Sequence, residues 1–99
     1  MRLTTVLVAG PSMLPTLRDG DCLLVDRAAR VRPGQLVVAR FRARPGLLVV
    51  KRAVRPEDGG WLLASDNPAV AGHGLTGGVG DVVGRVLLRY WPLPPSRLR

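Results

Sequence analysis

One cysteine, one histidine and one lysine stand among 99 residues, and only four side chains are aromatic. Cys22 alone cannot close an internal disulfide. With His73 as its sole companion it leaves no cluster able to hold zinc, so no metal centre and no cofactor are expected. Long apolar runs are missing too: the stretch 3–9 has seven residues, two of them threonine, far short of the ~20 that cross a bilayer. No cleavable signal pattern is visible, and the expected location is the cytoplasm. Acidic residues number seven against fifteen basic ones, a formal charge of +8. The arginines are scattered and there are few aromatics to stack bases on, which argues against nucleic acid as a partner. A solvated basic surface is expected instead, with weak peripheral affinity for an anionic membrane.

What is present is a hydrophobic content of 46% in a length suited to one domain, enough to bury roughly two thirds of the unfolded surface. No window keeps a 3.6-residue apolar period. Turn signals instead divide the chain into extended segments, read as strands at 4–9, 22–26, 35–42, 47–54, 61–65 and 82–91. The breakers between them are Gly10-Pro11, Asp19-Gly20, Pro33-Gly34, Pro45-Gly46, Asp58-Gly59-Gly60 and Asn67-Pro68. The expected fold is mostly β, a single small domain over 1–91 built of short antiparallel strands with long loops, followed by a proline-rich extended tail at 92–99. Five glycines between 72 and 80 predict a mobile loop.

Against fourteen arginines, the single lysine stands out. An arginine keeps its proton in a protein, whereas a buried ammonium can be driven toward neutrality, so only Lys51 could act as a base. Strand periodicity puts Lys51 on the face of Leu47, Val49 and Ala53, with Arg52 opposite. Its same-face neighbours are thus apolar. The ordinary fate of a strand lysine is to snorkel to water. The candidate nucleophile lies in the segment Gly10-Pro11-Ser12-Met13-Leu14-Pro15-Thr16-Leu17. Its glycine and prolines pin the backbone around Ser12, whose hydroxyl needs a neighbouring base to react at neutral pH. A rigid turn would aim that hydroxyl and leave the Ser12 amide free to stabilise an oxyanion. A serine in such a turn is otherwise structural.

The Pro-Ser-Met-x-Pro-Thr string resembles the nucleophile box of type I signal peptidases, and Lys51-Arg52 resembles their general-base box. Ser65-Asp66-Asn67-Pro68 is similar to the later Gly-Asp-Asn box, and Gly84-Arg85-Val86 to the Gly-Arg-Val element. The resemblance implies a signal-peptidase or LexA-like catalytic core and a Ser-Lys endopeptidase, with Ser12 as nucleophile and Lys51 as base. Gly10, Met13, Pro15, Asp66 and Asn67 would bind substrate or shape the site. Within the family the likeness is strongest to short members described as nickel-type superoxide dismutase maturation proteases, which implies a precursor protein or its leader peptide as partner. Relatives often carry a Ser-x-Asp-Ser-Arg string that orients the lysine, where this chain has Ala71, Gly72, His73, Gly74 and Leu75. That leaves Ser65, Thr76 or a backbone carbonyl to align Lys51.

Three other readings compete. One is a signal peptidase core without its membrane anchor, and another is a leader-binding module that holds a peptide as an added strand without cutting it. The third, a self-cleaving domain of Ser-Lys repressors, is disfavoured because no DNA-binding helices precede it.

Overall fold

The computed structural model describes residues 1–70 and 77–98. Seven strands follow in order: β1 (Leu3–Leu7), β2 (Cys22–Asp26), β3 (Leu36–Phe41), β4 (Arg44–Glu57), β5 (Gly60–Ala64), β6 (Gly77–Trp91) and β7 (Ser96–Arg97). All pairings are antiparallel, and no helix occurs among the described residues. This is the mostly β domain expected, although β4 and β6 are long, at 14 and 15 residues.

The sheet runs β1-β2-β6-β3-β4-β5, and β5 pairs again with β6. Strands β3, β4, β5 and β6 therefore form a closed ring, and β1 and β2 extend from it as a wing. Ring closure depends on the length of β6. Its first residues pair with β5, its middle with β3 and its end with β2 and β7.

Two small cores follow from this shape, and β3 separates them. Val37, Ala39 and Phe41 face the ring interior with Ala53 and Leu63. Leu36 and Val38 point the other way, into a cluster with Val8, Met13, Leu17, Leu23, Val25 and Val86. The unbroken apolar run in β3 is thus a strand covered on both faces, with the period of two dividing its side chains.

Close strand approach imposes glycine at two places in β6. A Cβ at Gly80 would lie 2.6 Å from Leu63 Cδ1 and 2.8 Å from the Arg40 carbonyl, and one at Gly84 would lie 2.6 Å from Val25 Cγ1 and 2.9 Å from the Asp26 carbonyl. Gly84 is the first residue of the Gly-Arg-Val element, so that triplet marks a packing requirement.

Three expectations need correction. Pro45-Gly46 does not break the chain: the turn falls at residues 42–43 and both residues lie inside β4. They fall where the β3–β4 register shifts between Arg40, opposite Leu48, and Phe41, opposite Arg44, a bulge in which a missing N–H costs no ladder bond. Residues 77–80, expected in a mobile loop, begin β6 because small residues let it pass closely under β3 and β5; residues 71–76, with His73 and Thr76, lie outside the described residues. The proline-rich tail folds back, with Ser96 and Arg97 pairing with β6 and Leu98 packing on the first core.

Gly80→Ala and Gly84→Ala should each destabilise the protein by roughly 1–3 kcal/mol, the usual range for overpacking. Urea unfolding with an unchanged m-value would register this as a shift in midpoint.

Candidate active site

Between β1 and β2 the chain makes two turns, at 12–16 and at 19–20. Val8 N–H donates to the Asp21 carbonyl and Gly20 N–H to the Val8 carbonyl, both at 2.8 Å. Gly10 turns the chain at φ +84°, a region that favours glycine, and its N–H donates to Asp19 Oδ1 at 2.8 Å. The turn proper is closed by Leu14 N–H to the Pro11 carbonyl at 3.1 Å and Leu17 N–H to the Met13 carbonyl at 2.9 Å. Buried Met13 and Leu17 anchor it in the first core. Ser12 is half-buried at the start of this turn. Among the described residues its N–H has no acceptor, so it is open to a ligand.

Lys51 comes from the middle of β4, opposite Val37 in the ladder. Only 5% of it is exposed, so it does not snorkel to solvent. Val49 is half-buried and Ala53 fully buried on its own face, as the period of two implies, while Leu47 is exposed at the strand's outer end. Burial pushes the ammonium below the ordinary lysine range, because the charged form loses its hydration. Its Nζ donates a hydrogen bond to Ser65 Oγ at 2.9 Å.

Residues 65–67 tie these two parts together. The Asp66 carboxylate accepts from Thr16 Oγ1 at 2.6 Å and Arg52 Nε at 3.1 Å, and also from Arg52 Nη2. Arg52 Nη1 reaches the Gly34 carbonyl at 2.9 Å. Asn67 donates its backbone N–H to the Ser12 carbonyl at 3.0 Å and its side-chain amide to the Pro11 carbonyl at 2.8 Å. Burial alone would raise the Asp66 carboxyl, but the bonds from Arg52 and Thr16 and the guanidinium charge hold it below the usual range.

Ser12 and Lys51 line one cleft of about 450 Å³. One wall is β1 and its extension, with Val6, Leu7 and Val8. The other is the first half of β4, with Leu47, Leu48, Val49 and Val50. Among the described residues neither wall has a neighbour on its cleft side: β1 pairs only with β2, and β5 joins β4 only from Arg52 onward. Met13 also lines the cleft; Gly10, Pro15, Asp66 and Asn67 do not. Gly10 turns the chain into the site, Pro15 is exposed, and Asp66 and Asn67 brace the site from behind.

A sequence model of the Peptidase S24-like family matches residues 2–87, a span that contains every residue just described. The chain belongs to the Peptidase S24-like family. Membership supports a Ser-Lys peptidase type of function and agrees with the broad group to which the signal-peptidase resemblance pointed. No curated protein matches the chain. For this family member, sequence reasoning gave no part to Thr16 or Arg52, though each lies inside a recognised motif. Nor did it see the leucine-rich walls, whose signal is an apolar strand with outward-facing Leu47 and Leu48.

Asp66→Ala removes the acceptor shared by Thr16 and Arg52 and should cost about 1–3 kcal/mol at neutral pH. A carboxyl held below its unfolded value of about 3.9 stabilises fully above that pH and ceases to do so as pH falls through the folded value. Acid unfolding curves of the two proteins should therefore converge below about pH 4.

Proposed function

We propose that this protein is a Ser-Lys endopeptidase that removes an N-terminal leader from a precursor protein. The observation that carries the reading is that the chain's only lysine, buried and held by a hydroxyl, lines the same cleft as Ser12. A lysine depressed by burial supplies a neutral amine at a pH where an exposed one would be charged. Lys51 Nζ takes the proton from Ser12 Oγ as that oxygen bonds to the scissile carbonyl carbon. The resulting oxyanion is met by the Ser12 N–H. The lysine then returns the proton to the departing amine as the C–N bond breaks, leaving an acyl ester on Ser12. In the second half Lys51 deprotonates a water that attacks the ester, and the proton passes back to Ser12 as it leaves.

The unpaired edges of β1 and β4 support an extended peptide as the substrate form, because both offer backbone groups to a strand laid between them. The apolar lining favours small apolar residues before the scissile bond. A nickel superoxide dismutase precursor is the substrate suggested by the motif resemblance, in a cytoplasmic setting. Exposed Leu3, Leu7, Leu47 and Leu48 beside a surface of net charge +8 support weak attachment to anionic lipid. Sedimentation with vesicles rich in phosphatidylglycerol should carry the protein down at low salt and release it at high salt; equal recovery with neutral vesicles would dismiss the attachment.

An acylating serine-directed probe, read by intact mass between pH 6 and 10, tests the chemistry without a known substrate. Labelling of Ser12 should rise through a midpoint below the ordinary lysine value of about 10.4. It should vanish in Ser12→Ala and fall at least ~100-fold in Lys51→Arg, which keeps the charge but cannot accept a proton. A folded protein that takes no label at any pH would fit the leader-binding module instead.

A further inference from the structure

The sheet has a gap on the edge of β6 that faces away from β2. Arg85 pairs with Asp26 of β2 and with Val37 of β3, so those two strands flank β6 on different edges. Leu88 pairs with Leu24 of β2 and with Arg97 of β7, which puts β7 on the same edge as β3. Pairing with β3 stops at Arg85 and pairing with β7 starts at Leu88, so among the described residues Val86 and Leu87 have no partner strand there. The gap opens into a pocket of about 720 Å³, lined by Gln35 and Leu36 at the start of β3, Arg85 and Leu87 of β6, and Arg97 and Leu98 of the tail. It shares no residue with the cleft that holds Ser12.

Register brings the two arginines to one face. The ladder with β2 shifts between Leu24, opposite Leu88, and Val25, opposite Val86, so Leu87 is an extra residue in β6. Without it Arg85 and Leu88 would face opposite ways; with it both follow Asp26 and Leu24, which share a face of β2. Arg97, opposite Leu88, takes the same face, and Leu98 turns to the other, where it packs on the first core. Among the described residues neither Arg85 nor Arg97 forms an ion pair, and the pocket lining contains no carboxylate. Asp26 lies across the β2 ladder from Arg85, and its Oδ1 accepts the Arg2 and Ala28 N–H groups at 3.1 and 2.9 Å. Gln35 Oε1 accepts the Arg32 N–H at 2.8 Å, which leaves the amide NH2 as the end that donates.

We propose that this gap binds a phosphate group, with Arg85, Arg97 and the Gln35 amide as donors and Leu36, Leu87 and Leu98 as the wall for whatever carries the phosphate. Two guanidiniums on one face repel each other unless an anion lies near both. The planar fork of arginine matches phosphate oxygens. Donors that arrive from three strands suit a tetrahedral anion, whose oxygens point several ways, better than a planar carboxylate with two. The charge of a phosphate monoester at neutral pH, about −1.5 to −2, balances two guanidiniums. The pocket has room beyond the phosphate, and its leucines favour an apolar organic group. The ligand class is therefore a phosphate monoester, free in solution or as a lipid headgroup. Arg85 is the middle residue of the Gly-Arg-Val element, and phosphate binding gives it a part that neither close packing at Gly84 nor the Ser12 cleft supplies.

Inorganic phosphate and phenyl phosphate, each titrated into the full nitrogen-15-labelled chain at constant ionic strength, test the site without a known ligand. Amide signals of residues 35–36, 85–88 and 97–98 should move and saturate, with phenyl phosphate the tighter of the two. Arg85→Gln and Arg97→Gln should each weaken binding at least ~10-fold, as expected on losing a charge-assisted bond. Arg30→Gln, at an exposed arginine outside the pocket, should leave it unchanged. Arg97 is exposed, so its variant reports on the site even where Arg85→Gln loosens the sheet, and thermal unfolding identifies that case. Vesicles separate the two sources. Sedimentation with phosphatidic acid but not with phosphatidylglycerol at equal charge, competed by phenyl phosphate and lost in Arg97→Gln, assigns a lipid headgroup; binding of phenyl phosphate with no preference between vesicles assigns a soluble monoester. Three results would overturn the proposal: no saturable binding of either phosphate or of phosphatidic acid, wild-type affinity in both glutamine variants, or binding lost in Lys51→Met instead, which would put the anion in the cleft.

Discussion

The carboxylate of Asp66 is the junction on which the site depends. One hydroxyl and one guanidinium from separate parts of the chain, Thr16 behind Ser12 and Arg52 beside Lys51, meet on its two oxygens. Neither contact would suffice alone, because the turn that carries Ser12 contains only one helical turn's worth of internal bonding, too little to hold its shape without external partners. Charge-assisted bonds to a part-buried carboxylate are stronger than neutral ones. That strength lets a short irregular segment do work that a helix or a longer strand would do elsewhere. Arg52 also grips the Gly34 carbonyl, so the junction extends to the turn that leads into β3.

Burying Lys51 sets a requirement that the surrounding strands meet. The residue faces the ring side of β4, across from fully buried Val37 and next to Ala53. Water is excluded there because β3 is covered on both faces, and β3 is covered only because β6 is long enough to close the ring and carry the wing. The glycines of β6 are part of the same chain of causes, since larger residues would separate the strands. Basicity at one nitrogen is in this sense a property of the whole sheet.

Much of this was legible beforehand. Strand alternation placed Lys51 among apolar neighbours, and the turn residues located five of the first six strands to within a few residues. Four motifs in order pointed to the broad family. What was not legible depends on contacts distant in sequence. The period of two gives no sign that Pro45 and Gly46 lie inside a strand, because proline and glycine fit a bulge as readily as a turn. The glycines at 77–80 were read as freedom when they mark tight strand crossing, and the two uses differ only in what lies opposite. The choice of Ser65 over other partners for the lysine required knowing where β5 ends. Thr16 and Arg52 carried no signal of their own, since each is unremarkable until Asp66 is brought between them.

The cleft is bounded by two strand edges that have no neighbours, and such edges join readily to other chains. A groove with such edges is open to the edge of a second copy, or to any unfolded segment with apolar residues. Leu7, Leu47 and Leu48 at its mouth make such a meeting stickier. The arginine excess bears on such meetings: with a net charge of +8 on 99 residues, every copy repels every other over about the Debye length of 8–10 Å at physiological salt. Like charge thereby opposes the pairing of one copy's exposed strand edges with those of another.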